Sequence, residues 1–274
     1  MFSKFKIYLQ NLKLFFQFYN WKKTVESKKL SGNALIIGTG PSYGKLKHRL
    51  PNIIKENNIV CVFGLNNLAS YDKEVLQHLT DYIFSYPGFF LKEIRESEII
   101  RFSEDGDFDR EGVIESLEVC IRTFKEITKD RNLNIWLPID KISNFSENYS
   151  NFYPFSNRAS LHTNNQSDFT KIIYGVDMVA LHAAVISKSK GCKKVFTLGL
   201  DNESFKTIEW DNSKEYFKYD YKHFYPESAL VVNRRHKSSL SNFLFSAAQN
   251  AKIFEKYKFY NCDDNGISGI KCKK

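Results

Sequence analysis

Apolar residues gather in short unbroken runs separated by polar stretches. Four stand out: Ala34-Leu35-Ile36-Ile37-Gly38, Ile59-Val60-Cys61-Val62-Phe63-Gly64, Tyr82-Ile83-Phe84-Ser85 and Lys194-Val195-Phe196-Thr197-Leu198-Gly199-Leu200. A strand covered on both faces has no polar side to alternate with, so each run predicts a buried parallel strand. Ile135-Trp136-Leu137-Pro138 predicts a strand end, and Phe259-Tyr260-Asn261-Cys262 a last strand. Helical periods fall between them: a modest helix over 45–55, another over 113–128, and one over 238–257. Val176, Val179, Ala180, Ala183 and Ala184 form a small-residue helix that ends at Gly191 and can press closely on a sheet. The Asn- and Ser-rich stretch 144–166 predicts a long loop, and 202–235 is polar and tyrosine-rich with no apolar period. Strand and helix in alternation give an α/β fold, a single Rossmann-type, mostly parallel sheet with helices on both faces.

The first thirty residues have a different pattern. Phe5, Leu9, Leu12, Phe16 and Tyr19 recur at helical spacing, with Tyr8 and Phe15 widening the face and Ser3, Gln10, Gln17 and Asn20 opposite. Lys4, Lys6, Lys13, Lys22 and Lys23 precede the first acidic residue, Glu26. A basic, aromatic, amphipathic helix over 1–30 suits the surface of an anionic membrane. The competing reading packs its apolar face on the rest of the chain, and a second patch of Ile7, Leu14 and Phe18 suits a helix used on two sides. The lysines interrupt the apolar run and no small-residue cleavage site follows, so the segment does not read as a secretory signal.

Composition narrows the class. The 274 residues suit one large α/β unit with attachments, and 42% hydrophobic content excludes wholesale disorder. No run approaches the roughly 20 apolar residues of a spanning helix. A net charge of +9 suits an anionic partner. The basic residues are dispersed rather than striped and no RNA-binding aromatic signature is present, so nucleic acid is not the expected partner. Five cysteines without CxxC or recurring spacing argue against a disulfide framework and a zinc ribbon, and make the cytoplasm the simpler home.

Chemistry is expected beyond the carboxyl ends of the strands, where open parallel sheets bind ligands. Three ends carry small or polar residues: Gly38-Thr39-Gly40-Pro41-Ser42, Asn66 with Asn67, and Asp201. The first loop is neither a full GxGxxG nor a P-loop. Its amides ahead of a helix suit a phosphate, and a plain tight turn is the alternative. Asp105-Gly106-Asp107 imitates a metal-binding Asp-x-Asp but follows no buried strand, and reads as an acidic surface turn. His48, His78, His162, His182 and His223 lack Cys or Asp partners at ligand spacing, so no metal site is expected.

In order and approximate spacing, Ile36 to Ser42, the strand ending at Asn66, Gly175-Val176-x-Met178 and Leu198-Gly199-Leu200-Asp201 resemble bacterial sialyltransferases of glycosyltransferase family 42. The likeness runs from about 34 to 260. It implies a GT-A-like variant fold with a lid, here about 202–235, within a catalytic domain spanning 31–274. It also implies inverting, metal-independent transfer of sialic acid from a CMP-activated donor, with no bound cofactor. By that pattern Gly38, Thr39, Gly40, Pro41, Ser42, Asn66 and Asn67 line the donor site, and Gly175 and Asp201 hold the cytidine and ribose. His236, followed by Lys237-Ser238-Ser239, takes the place of the general base. Imidazole titrates near the working pH, as removal of a proton from an acceptor hydroxyl requires. The lid tyrosines expected at the leaving phosphate are Tyr216, Tyr219, Tyr221 and Tyr225, with Arg234 and Arg235 as further candidates for the phosphate or an anionic acceptor.

The chain departs from the family at Thr39, where an asparagine is usual, and at Ser85 or Tyr86 after the third strand. Lys171 replaces an arginine and Tyr174 a serine before Gly175. These positions surround the donor sugar and its phosphate, leaving room for another acidic sugar, such as Kdo, or a different nucleotide sugar. The expected setting is cytoplasmic and peripheral on the inner membrane, acting on a surface glycan such as lipooligosaccharide or capsule; homo-oligomers are possible partners. Two alternatives keep the sheet: a pterin pyrophosphokinase-like or flagellin-modification protein of the Gly-Pro-Ser group, and a non-enzymatic nucleotide- or RNA-binding module.

Overall fold

The computed structural model describes residues 29–83, 96, 99, 110–129, 132–138, 152–155, 179–200, 209–211, 216–218, 235–236 and 259–261. Seven strands form one sheet: β1 (Asn33–Ile37), β2 (Ile59–Leu65), β3 (Asp81–Ile83), β4 (Asn134–Pro138), β5 (Phe152–Phe155), β6 (Val195–Leu198) and β10 (Phe259–Asn261). Their order is β10-β6-β1-β2-β3-β4-β5, and every neighbouring pair is parallel. The chain builds outward from β1 through β5, then returns to β1's other edge with β6. β1 and β6 therefore meet at the topological switch point of the sheet.

The unbroken apolar runs follow from burial on both faces. Along β1, Ala34 and Ile36 face one core, with Cys61, Phe63 and Val195 from neighbouring strands. Leu35 and Ile37 face the other, with Val62, Phe196 and Leu198. The helix α5 (Val179–Ser189) covers the first face, and its Ala180, Ala183 and Ala184 let it sit close to β1 and β2. On the second face lie α1 (Pro41–Leu46), α2 (Leu50–Glu56), α3 (Leu68–Tyr71) and α4 (Arg110–Ile127). The reversal of strand order at β1 and the right-handed hand of β-α-β crossovers account for this division.

Two expectations need correction. The single helix over 45–55 is two short helices, α1 and α2, joined by a 3-10 turn at Lys47–Arg49. Pro51 lacks an N–H, and so sits in the first turn of a new helix rather than inside an old one. The loop over 144–166 contains β5, which pairs with β4 from Ile135↔Phe152 to Pro138↔Phe155. Pro154 is tolerated because β5 lies at the sheet edge. The other strand runs fall on β1, β2, β3, β4, β6 and β10. A second sheet joins β7 (Glu209–Asp211), β8 (Tyr216–Lys218) and β9 (Arg235–His236) in antiparallel order. Two of its strands fall in the stretch 202–235, where no apolar period signals them. The helices expected over 1–30, its last two residues apart, and 238–257, and the acidic turn at 105–107, lie outside the described residues. No described helix is long and apolar enough to cross a membrane.

A buried polar knot ties the amino end of the sheet. Asp81, the fully buried first residue of β3, accepts hydrogen bonds from Trp136 Nε1 at 2.8 Å and from Lys190 Nζ at 2.7 and 2.8 Å. Thr80 Oγ1 donates to the same carboxylate at 2.7 Å. Every strong donor around this carboxylate is thus matched, which is what burying a charge requires. Removing the carboxylate would strand the Lys190 ammonium and the Trp136 N–H. We expect Asp81→Ala to lose about 3–5 kcal/mol of unfolding free energy, measured by urea denaturation.

Tyr43 and Tyr82 in the core of the second face, and Lys190 over Phe63 of the first, also set the alkaline limit. Burial pushes the Tyr43 and Tyr82 phenols up, with the Asp72 carboxylate adding to the effect at Tyr43. Burial works against the Lys190 ammonium, but Cys61 and Asp81 outweigh it and raise the group overall. All three hold their protons more tightly folded than unfolded. Their contribution is full at neutral pH and is lost as pH rises past the unfolded values, about 10. The urea midpoint should stay level to about pH 9 and fall above about pH 10; a level midpoint at pH 11 would contradict this account.

Candidate nucleotide site at the carboxyl edge

The loop after β1 and the loop after β6 are joined backbone to backbone. Gly38 N–H donates to the Leu198 carbonyl at 2.8 Å, and Gly40 N–H to the Gly199 carbonyl at 2.8 Å. Ser42 is buried, and its Oγ accepts from Gly199 N–H at 2.8 Å. The approach leaves no room for side chains. A Cβ on Gly38 would stand 2.5 Å from the Gly199 carbonyl oxygen, and one on Gly199 would stand 2.5 Å from that of Gly38. Gly199 also has φ +70°, a left-handed conformation that glycine adopts without penalty. These contacts explain both glycines without any ligand.

The five predicted donor-loop residues thus divide by role. Gly38, Gly40 and Ser42 are buried and seat the β1 loop on the β6 loop. Thr39 and Pro41 are half-buried at the surface of the same edge. Pro41 opens α1, which is anchored below by Tyr43: its hydroxyl donates to Asp72 Oδ2 at 3.1 Å, and Lys47 Nζ reaches the same oxygen at 3.0 Å. The loop is therefore fixed from two sides.

Asn66 follows β2 with φ +45°, a left-handed position for a residue with a side chain. Its N–H donates to the Ile83 carbonyl at 3.1 Å, and its carbonyl accepts from the buried Tyr82 hydroxyl at 2.8 Å. The Tyr82 oxygen in turn accepts from Ala69 N–H at 2.9 Å. One phenol thus holds the turn after β2 to the start of α3. Asparagine tolerates this conformation better than most residues, which gives a local reason for its identity. Asn67, the next residue, has its Oδ1 accepting from the Cys120 thiol of α4 at 3.8 Å. Asn66 and Thr39 stand half-buried at the ends of adjacent strands.

Tyr216 lies in β8 and Arg235 and His236 in β9, with His236 opposite Phe217 and Arg235 opposite Lys218. Only their strand positions are described. Tyr86, Lys171, Tyr174, Gly175, Asp201, Tyr219, Tyr221 and Tyr225 lie outside the described residues. Among the described residues no cluster of His, Cys, Asp and Glu could hold a metal ion. Sequence reasoning missed Tyr82 and Asp72, which hold the site's framework, and the cluster around Asp81 at the opposite edge. Tyr82 reads only as part of an apolar run, and nothing in the spacing of Asp72 signals a partner 29 residues away.

The glycine contacts carry a direct test. Gly38→Ala and Gly199→Ala should each cost about 2–3 kcal/mol, and Ser42→Ala about 1–3 kcal/mol because it leaves the Gly199 N–H unpaired. Chemical denaturation measures all three. Losses below about 0.5 kcal/mol would show that the loops separate at little cost.

Protein-family models give no match to this chain, and curated proteins give no significant match.

Proposed function

We propose that the chain is an inverting, metal-independent glycosyltransferase that moves sialic acid or another acidic sugar from a CMP-activated donor to a hydroxyl of a bacterial surface glycan. The observation that carries this reading is the convergence of the β1 loop, Asn66 and the β6 loop at one edge of a parallel sheet. A nucleotide lies across that edge where strand order reverses. Thr39 and Asn66 stand half-buried there, and Asp201, two residues after Gly199 in the sequence, is the residue assigned to the ribose.

In this reading the fixed loops supply position, and the segment bearing Tyr216, Tyr219, Tyr221, Tyr225 and Arg235 supplies donors to the leaving phosphate. His236 takes the proton of the acceptor hydroxyl as the anomeric carbon gains oxocarbenium character. A positioned base of this kind contributes about 10²–10⁴-fold. Phosphate donors must be set before charge develops, because reorganising them during the reaction forfeits their benefit. The basic amphipathic segment 1–30 brings the enzyme to an anionic membrane where a lipid-linked acceptor is displayed.

The reading is tested by a thermal-shift panel of CMP, UDP, GDP and ADP, in which CMP should stabilise most, by RT ln(1 + [L]/Kd). Asn66→Ala should weaken that shift. His236→Ala should lower transfer about 10²–10⁴-fold while leaving the CMP shift intact, and near-normal turnover removes its role as base. Transfer should survive EDTA; a magnesium requirement with an ADP preference favours the pyrophosphokinase-like alternative. Deleting residues 1–23 should release the protein from anionic vesicles, and unchanged sedimentation removes the membrane role.

A further inference from the structure

At the amino edge of the sheet, opposite the glycine loops, three segments distant in sequence are knitted together. Leu30 N–H donates to the Lys190 carbonyl at 2.8 Å, and Lys193 N–H donates to the Gly32 carbonyl at 2.8 Å. Asn33 reaches the third segment: its N–H donates to the Asn58 carbonyl at 2.9 Å and its Nδ2 to the Asn57 carbonyl at 2.7 Å. Its Oδ1 accepts from Lys194 N–H at 3.2 Å. The chain entering β1, the turn between α5 and β6 and the turn between α2 and β2 therefore form one surface.

That surface is rich in lysine. Lys29, Lys193 and Lys194 are exposed, and Lys188 is half-buried in the last turn of α5. A Cβ on Gly191 would stand 3.2 Å from the Lys29 Cβ, so Lys29 lies against the turn that carries Lys193 and Lys194. The Lys188 ammonium is held at the same turn, where it donates to the Lys193 carbonyl. Across the three segments the one acid is Glu56, beside Lys55 at the end of α2. The buried Asp81 is already matched by Lys190. Four cations thus remain in excess, their backbones fixed side by side, and such a patch attracts an anionic counter-surface.

We propose that this amino edge rests on an anionic lipid bilayer, with Lys29, Lys188, Lys193 and Lys194 toward the headgroups. What joins the surface favours a bilayer over nucleic acid. Residues 1–28 enter it at Lys29, and their sequence adds Lys22, Lys23 and Lys28 to an amphipathic pattern with a ring-rich apolar side. An apolar side of that kind suits lipid, and its insertion adds to the attraction between lysines and anionic headgroups. The lysines of the body form a contact of their own; only the contribution of residues 1–28 rests on the membrane role proposed above. The placement also orients the sheet. At about 3.3 Å per residue, the five residues of β1 hold the Gly38 loop roughly 17 Å above this edge. The candidate site then faces away from the lipid, and on the transferase reading it takes an acceptor hydroxyl carried clear of the headgroups.

The test uses the full chain with vesicles of phosphatidylglycerol and phosphatidylcholine, and pure phosphatidylcholine as the control. Amine acetylation followed by mass mapping should find Lys29, Lys193 and Lys194 protected by the anionic vesicles, while Lys45, exposed on α1, reacts as it does in solution. Combining Lys29→Gln, Lys193→Gln and Lys194→Gln should weaken vesicle binding about 10²-fold, at about fivefold per lysine. Edge lysines that react on bound vesicles as fast as in solution overturn the proposal, as does a triple variant that binds like the wild type. Protection of the same lysines by a short RNA but not by vesicles overturns it in favour of nucleic acid. Deleting residues 1–23 separates this surface from the tether. Residual binding at low salt that the three substitutions abolish supports the surface; binding lost on deletion yet insensitive to them overturns it and leaves the tether standing.

Discussion

The close approach of two glycines, Gly38 and Gly199, governs the carboxyl edge of this sheet. Two loops from adjacent central strands meet with carbonyl oxygens where side chains would otherwise project. The strand ladder therefore continues past the last strand residues, through Gly38 and Gly40, and Ser42 closes it from α1. Because β1 and β6 are both central, the seam is buttressed by strands on either side. A shelf built this way does not need a ligand to hold its shape, and preorganisation of that kind reduces the ordering cost of binding.

The two edges of the sheet solve different problems. At the carboxyl edge, polar groups are half-buried and their backbones are held by neutral hydroxyls, Tyr82 donating to Asn66 and Ser42 accepting from Gly199. At the amino edge, full charges are enclosed and matched, Asp81 against Lys190, Trp136 and Thr80. The same strands β2 and β3 connect the two: Cys61 and Asp81 lie near their starts, Asn66 and Ile83 at or just past their ends. Lys190 also lies 5.8 Å over the Phe63 ring, so the ammonium is partnered by a carboxylate and an aromatic face within one core.

How much of this was legible in the sequence depends on the range of the interactions. Strands β1, β2 and β6 show as apolar runs because double burial leaves a local signature. The small-residue face of α5 shows for the same reason. β5 does not, because Phe152, Tyr153, Pro154 and Phe155 sit in an Asn- and Ser-rich stretch and their pairing is set by β4. The break between α1 and α2 was available in Pro51, which the helical period concealed. The glycine loop stands out in the sequence, but a local reading of it as a phosphate cradle or turn omits the partner loop, more than 150 residues distant, as Ser42 and Gly199 illustrate at a separation of 157. Asn67 looks like Asn66 in sequence; its contact with Cys120 is set by α4, 53 residues further on.

The pairing of β1 with β6 has a consequence for the nascent chain. Asn33 and Lys194, bonded at the margin of that pair, are separated by 161 residues. On the ribosome, β1 acquires β2 early, yet its second edge has no native neighbour until β6 has been synthesised. At about 5–20 residues per second, that central edge waits many seconds with its amides and carbonyls unclaimed. Truncated translation products ending before β6 will therefore expose the middle of the sheet rather than its rim, and such open edges recruit foreign strands.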